Sequence, residues 1–342
     1  MRELAIPALT AALALTSAAT ATPAQASARQ WATAWATAAQ PATPSTSWYG
    51  PNWQRRAVIP PGRERLSDPM PLPVRPLDKL AVTLRFTGPT GPVTFHHFAQ
   101  ATSYRARGDH LADTTGGAFT DTGNSWYYLT GVEVTGPRAT GTVAAFGDSL
   151  TDGVGSAVGA DNRYPDQLAE RLTGRGLGVV NAGIGGNRLL TDSPEYGTAG
   201  LARLRRDVLE RPGVRTVIIM DGINDLAEWN GPHQADARRI IDGHKELIRA
   251  AHARGIKAIG ATLTPIKGSA LAYSPAAEAV RDRVNHWIRT SGAYDHVADF
   301  DAVVRQPADS DSLRPEYDSG DGIHLNDAGY DAIAQAVDPD AL

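Results

Sequence analysis

The sequence has no cysteine among its 342 residues. That absence excludes disulfide bridges, thiolate zinc sites, iron–sulfur clusters and a cysteine nucleophile together. Aromatic residues are few, at 7%, and past the N-terminus no apolar run is long enough to cross a bilayer. Neither sign of charge dominates, because 33 Lys and Arg face 37 Asp and Glu for a formal net charge of −4. A basic face for nucleic acid is therefore not expected, nor is a surface held on anionic membranes. There is no G-x-x-x-x-G-K-[ST] phosphate loop and no internal repeat.

What is present is a chain that is 42% hydrophobic, enough to bury one large core with a smaller companion region. Residues 1–28 have the pattern of a secretory signal peptide. Arg2 supplies the positive start, residues 4 to 18 are apolar, and Ala24-Gln25-Ala26 and Ala26-Ser27-Ala28 offer small-residue cleavage sites. Cleavage after Ala26 or Ala28 would leave no membrane anchor, so the expected location is extracellular. Residues 29–53 form an Ala/Thr/Pro-rich linker carrying Trp31, Trp35, Trp48 and Trp53. Tryptophan is costly to leave in water, so some of these should dock on the body.

Residues 54–138 have the texture of a small antiparallel β region. Leu80 to Phe86, Val93 to Phe98 and Trp126 to Val134 are its candidate strands, separated by Gly/Pro/Asp/Asn turns. From 139 to 342 the pattern changes. Apolar runs at 142–146, 179–180, 214–220, 256–261 and 296–300 alternate with helical periodicity around Leu168 and Leu172, around Leu201, Leu204 and Val208, and over 240–251, 276–288 and 327–337. Strands alternating with helices of this length predict parallel βαβ units in a three-layer α/β/α sandwich.

Ligands of such folds sit past the carboxyl ends of the strands. Four of those loops carry suggestive residues: Gly147-Asp148-Ser149-Leu150, the glycine stretch from Gly183 to Asn187, Gly222-Ile223-Asn224-Asp225, and Asp321-Gly322-Ile323-His324. A serine hydroxyl becomes a nucleophile when a base takes its proton, and the base works best when an acid fixes its tautomer. Ser149, on a strand-to-glycine turn, is the candidate nucleophile, His324 the base and Asp321 the orienting acid. Asp318, on the same loop, is the alternative acid. The Ser149 and Gly186 backbone N–H groups and the Asn224 amide are candidate donors to an oxyanion. Asp148 and Asp225 are expected to hold loop amides. The remaining eight histidines, His96-His97 among them, show no metal-ligand spacing, so they read as structural and no metal is expected.

The four blocks in this order resemble the SGNH (GDSL) hydrolases over about residues 140 to 340. The resemblance extends to a secreted, actinobacterial-type esterase and lipase subgroup through Ala251-His252-Ala253-Arg254-Gly255, Asn285-His286-Trp287-Ile288-Arg289 and Asp327-Ala328-Gly329-Tyr330. It implies a flavodoxin-like sandwich with a parallel sheet and no cofactor. It gives Ser149, His324 and Asp321 the triad roles, and Ser149, Gly186 and Asn224 the oxyanion hole. Two departures stand out: the β-rich region is short for the subgroup, and Gly185 replaces a serine common in relatives, which leaves Gly185 open as the donor. Arg188, Tyr196 and Trp229 are expected near the pocket mouth as substrate contacts. The implied activity is that of a monomeric secreted serine esterase on small or polysaccharide esters, short acyl esters of carbohydrates foremost. A lipase, phospholipase or arylesterase is the alternative, ahead of an acyltransferase or a non-catalytic carbohydrate-binding protein.

Overall fold

A computed structural model describes residues 72–86, 88, 93–113, 115–136, 139–226 and 236–342, together with the backbone of two strands at 2–5 and 31–36. The expected signal and linker segments otherwise lie outside the described residues, as does Trp229.

Five parallel strands form the central sheet: β1 (Gly141–Gly147), β2 (Leu177–Gly183), β3 (Val214–Met220), β4 (Lys257–Ala261) and β5 (His296–Ala298). Their order is β2-β1-β3-β4-β5. This is the flavodoxin-like arrangement, in which the chain turns back beside β1 and leaves a crevice at the carboxyl ends of β1 and β3. The inner strands are apolar on both faces because helices cover both. Val143 to Phe146 and Val217 to Met220 have no exposed surface.

The helices are α1 (Ser149–Asp152), α2 (Tyr164–Arg171), α3 (Gly200–Leu204), α4 (Ala237–His252), α5 (Pro275–Thr290), α6 (Phe300–Val304) and α7 (Asp327–Gln335). In one group α2 and α6 pack on α7; in the other α3 and α5 pack on α4. Helical spacing in the sequence predicts α2, α3, α4, α5 and α7 but not the short α6, and Leu168, Ile240, Leu247, Val284 and Ile333 all face the core. After α3 the chain continues in a π-helical turn, Arg205–Leu209.

The small β region is less regular than the sequence suggests. The run expected at 93–98 pairs only at Phe95–His96, antiparallel to Trp126–Tyr127. The run at 126–134 is broken at Tyr128, whose φ of +65° no strand can hold, and resumes at Gly131–Thr135. Ser103–Arg105 pairs with Asp121–Gly123. Within the expected linker, Trp31–Ala36 is a strand antiparallel to Gly131–Thr135. In the sequence Trp31, Thr33 and Trp35 alternate with alanines, a period-two pattern that suits a pleated strand. Arg2–Ala5 runs parallel to Leu80–Thr83.

Candidate active site

Ser149 opens α1 directly after β1. Asp148 is the N-cap, and its carboxylate accepts the Leu150 N–H at 3.0 Å. Gly147 is required where strand becomes turn, because a Cβ there would lie 2.0 Å from the Met220 carbonyl oxygen. The serine is 7% exposed, and its Oγ is 2.8 Å from His324 Nε2. On the other side of the ring, His324 Nδ1 is 2.6 Å from Asp321 Oδ2. With Nδ1–H donated to the carboxylate, Nε2 is left to accept the serine proton. Residues 175 positions apart thus form one hydrogen-bonded chain.

The loop that carries His324 is held from several sides. Asp321 Oδ1 accepts the backbone N–H groups of Ile323 and His324, at 3.1 and 2.8 Å. Asp318, the alternative acid, does not reach the imidazole: its Oδ1 accepts the Gly320 and Gly322 N–H groups and shapes the turn. Beyond the loop, Asp327 accepts Ala157 N–H and the Asn162 amide, and Tyr330 donates to the Val154 carbonyl at 2.6 Å. These bonds tie α7 to the loop that follows α1. Partial burial pushes the Asp321 carboxyl up, but the hydrogen bonds from the His324 ring and N–H and the histidine charge outweigh it. The carboxyl is held well below the usual carboxylate range.

On the opposite flank of Ser149, the Gly185 N–H donates to Asp152 Oδ2 at 2.8 Å. That amide is committed to the carboxylate. The Gly186 N–H, like that of Ser149, donates to no acceptor among the described residues. Gly186 sits at φ +74° with the Tyr196 ring against its Cα. Asn224 is fixed by donating from Nδ2 to the Asn187 carbonyl at 2.9 Å. The neighbouring Asp225 takes the Leu189 and Leu190 N–H groups at 2.7 and 3.0 Å, joining the β3 loop to the β2 loop. Burial pushes Asp225 up to about 6, against those two amides, and burial likewise pushes Asp148 up to about 7, against the Leu150 amide.

Three residues that hold this arrangement carry no functional signal in the sequence. Arg203, 1% exposed, donates to the Gly147 carbonyl at 2.6 Å, the Ala182 carbonyl at 2.7 Å and Asn187 Oδ1 at 2.7 Å, clamping the ends of β1 and β2. Its ion pair with Asp207 at i+4 was the one available clue to a buried charge. Asp152, three residues after Ser149, is the second. The third is His96 of the β region, whose Nε2 lies 2.7 Å from Asp152 Oδ1.

Of the expected substrate contacts, Tyr196 lies beside Gly186, while Arg188 donates to Thr191 Oγ1 at 3.4 Å. Glu278, Asp282 and Asp311 bring carboxylate oxygens within 4.8 Å of one another. Arg281 sits between two of these groups, pairing Glu278 and approaching Asp282 to 3.7 Å. No helix among the described residues is long and apolar enough to cross a membrane.

Residues 145–332, more than half the chain, match the model of the GDSL-like Lipase/Acylhydrolase family. The chain belongs to that family. No curated protein matches it. Among solved structures, this GDSL hydrolase is similar to one from Desulfitobacterium hafniense DCB-2 described as lipolytic and of the G-D-S-L family. That match has 22% identity and a TM-score of 0.44, covering 57% of this chain and 96% of that one. It is also similar to the M. smegmatis aryl esterase, at 20% identity and a TM-score of 0.47, covering 57% and 95% of the two chains. A third match is LAE5, an alpha/beta hydrolase enzyme from the metagenome of Lake Arreo, at 24% identity and a TM-score of 0.43, covering 58% and 93%. The GDSL hydrolase is a serine ester hydrolase on an α/β sandwich.

Proposed function

We propose that this GDSL hydrolase is exported and cleaves short-chain acyl esters of carbohydrates or similar small esters through an acyl-enzyme. The observation that carries the chemistry is the chain Ser149 Oγ–His324–Asp321, with contacts of 2.8 and 2.6 Å. In the first half-reaction the Ser149 Oγ–H proton passes to His324 Nε2 while Oγ bonds to the ester carbonyl carbon. Asp321 keeps the ring oriented and offsets the imidazolium charge. The carbonyl oxygen, now an oxyanion, is met by the Ser149 and Gly186 N–H groups and the Asn224 amide. Collapse breaks the bond to the alcohol oxygen, which leaves with the proton from His324. In the second half, water gives a proton to His324, attacks the acyl carbon and releases the acid and Ser149.

Several features favour a small acyl group. No long apolar segment stands ready as a lid in the sequence. The glycine loop is flanked by single aromatic rings, Phe98 on Gly185 and Tyr196 on Gly186. Export rests on Arg2, the apolar stretch and the Ala-x-Ala sites. Cleavage after Ala26 or Ala28 would also free Leu80–Thr83 from the Arg2–Ala5 strand.

The test compares p-nitrophenyl acetate and butyrate, acetylated xylan and phospholipid as substrates, with Ser149→Ala as the control. Acetyl esters should be turned over fastest. Ser149→Ala should lower kcat by about 10⁴-fold or more, because triad members act as one unit. Wild-type turnover by that variant overturns the mechanism. Fastest turnover of phospholipid overturns the substrate class and leaves the mechanism intact. N-terminal sequencing of protein recovered from culture medium reads the cleavage site.

A further inference from the structure

The small β-rich region reaches the glycine loop through one buried side chain. Asp152 divides its carboxylate between two partners: Oδ1 is 2.7 Å from His96 Nε2, and Oδ2 accepts the Gly185 N–H at 2.8 Å. Both side chains of the His–Asp pair are nearly out of solvent, at 3% and 2% exposure. The same strand end sets the Phe98 ring against the Gly185 Cα, where a Cβ would come within 2.5 Å of it. Gly185 is therefore gripped at its N–H through Asp152 and at its Cα by Phe98, one residue before the proposed oxyanion donor. We propose that His96 is a positioning residue for ester hydrolysis, holding the Gly185–Gly186 peptide through Asp152, so that the β-rich region completes the active site. This rests on the oxyanion role given to Gly186 above.

Docking of the region alone does not account for the pair. Residues 99 and 100 are already fastened to the hydrolase fold, since the Ala99 carbonyl accepts from Arg163 Nη1 at 3.3 Å and the Gln100 carbonyl accepts Gly159 N–H at 2.8 Å. Arg163 also lies over the Trp126 ring, 5.8 Å from its centroid. Neither hydrogen bond uses the His96 ring, so both survive its loss. What does not survive is the balance at Asp152. A carboxylate buried with one partner removed turns toward water or toward another donor, and Gly185 is bonded to it. A shift of the order of 1 Å in a group that meets the transition state costs about 10²-fold in rate.

The experiment uses the full chain and p-nitrophenyl acetate, with three variants at position 96. His96→Ala removes the donor. His96→Gln places an amide N–H near the Nε2 position and restores it. His96→Asn keeps the polarity but is too short to reach Asp152. His96→Ala and His96→Asn should lower kcat by about 10- to 100-fold with KM changed less than about twofold, the pattern of a lost transition-state interaction. Their rates of Ser149 labelling by a fluorophosphonate should fall in parallel, because the phosphoryl oxygen uses the same donors. His96→Gln should recover most of both rates. If His96→Ala does not fold, the contrast between Asn and Gln carries the same test. The proposal is overturned if folded Ala or Asn variants keep wild-type kcat, if Gln falls as far as Asn, or if only KM or the melting temperature moves. Wild-type protein that neither turns over esters nor takes the label at Ser149 would instead refute the proposed function.

Discussion

Gly186→Ala gives the most direct reading of the oxyanion assignment. At φ +74° an alanine costs about 1–2 kcal/mol in backbone strain. Its Cβ would also lie 2.3, 2.5 and 2.7 Å from three carbons of the Tyr196 ring. Carbon atoms rest at about 3.5–4.0 Å from one another, so ring or loop must move by about 1 Å. The Tyr196 backbone resists, because its carbonyl accepts from Asn187 Nδ2 at 2.8 Å and its N–H donates to Ser193 Oγ at 3.2 Å. Either the ring swings out or the Gly186 peptide turns, and the strain at φ favours the peptide turning. A donor displaced that far is a donor lost, so kcat on p-nitrophenyl acetate should fall by about 10²–10³-fold with KM little changed. Adding Tyr196→Ala removes the clash but not the backbone strain, so the double variant should regain part of the loss. The reasoning fails if folded Gly186→Ala, confirmed by an unaltered circular dichroism spectrum, keeps kcat within about threefold of wild type.

Other perturbations probe the supports of the site. Asp321→Asn removes the acceptor of Nδ1–H and should lower kcat by about 10³–10⁴-fold, read on the same substrate, whereas Asp318→Asn should leave catalysis nearly intact because among the described residues that side chain meets loop amides and not the imidazole. Arg203→Met leaves two strand-end carbonyls and Asp207 without their buried cation, and should destabilise the fold by about 3–5 kcal/mol in urea unfolding. Asp148 is pushed up to about 7 by burial, so the folded state holds a proton that the unfolded chain releases near pH 4. Stability tied to this group is therefore present below the unfolded value and lost as pH rises toward 7. Asp148→Asn keeps the acceptor for Leu150 N–H and should melt higher than wild type at pH 8, with the gap closing near pH 4; an equal gap at both pH values would refute the assignment.

The legible parts of the sequence were those governed by local or repeating chemistry. Runs such as Val217–Met220, apolar on both faces, announce a strand buried in a parallel sheet, and Ile240, Leu247 and Ala251 mark a helix face. Ser149, Asn224 and His324 could be singled out because each follows a strand in such a fold, where loops meet at one end of the sheet. The β region was harder. Its strands are two to five residues long, and a single positive φ at Tyr128 divides what alternation alone joins.

The sequence by itself determined the order of the five sheet strands and the longer helices between them, and the chemical types available at each loop, because periodicity and turn residues act over a few positions. It left two carboxylates competing for one imidazole and two glycines competing for one role. In the tertiary structure their surroundings differ: Asp318 spends its oxygen on the Gly320 and Gly322 amides while Asp321 faces the ring, and Gly185 gives its N–H to Asp152, which supports the roles proposed for Asp321 and Gly186. The clamp of Arg203 and the approach of His96 from a separate region were decided there too. Hydrogen bonds are satisfied by whichever group lies within about 3 Å, and that distance is fixed by the packing of the whole chain.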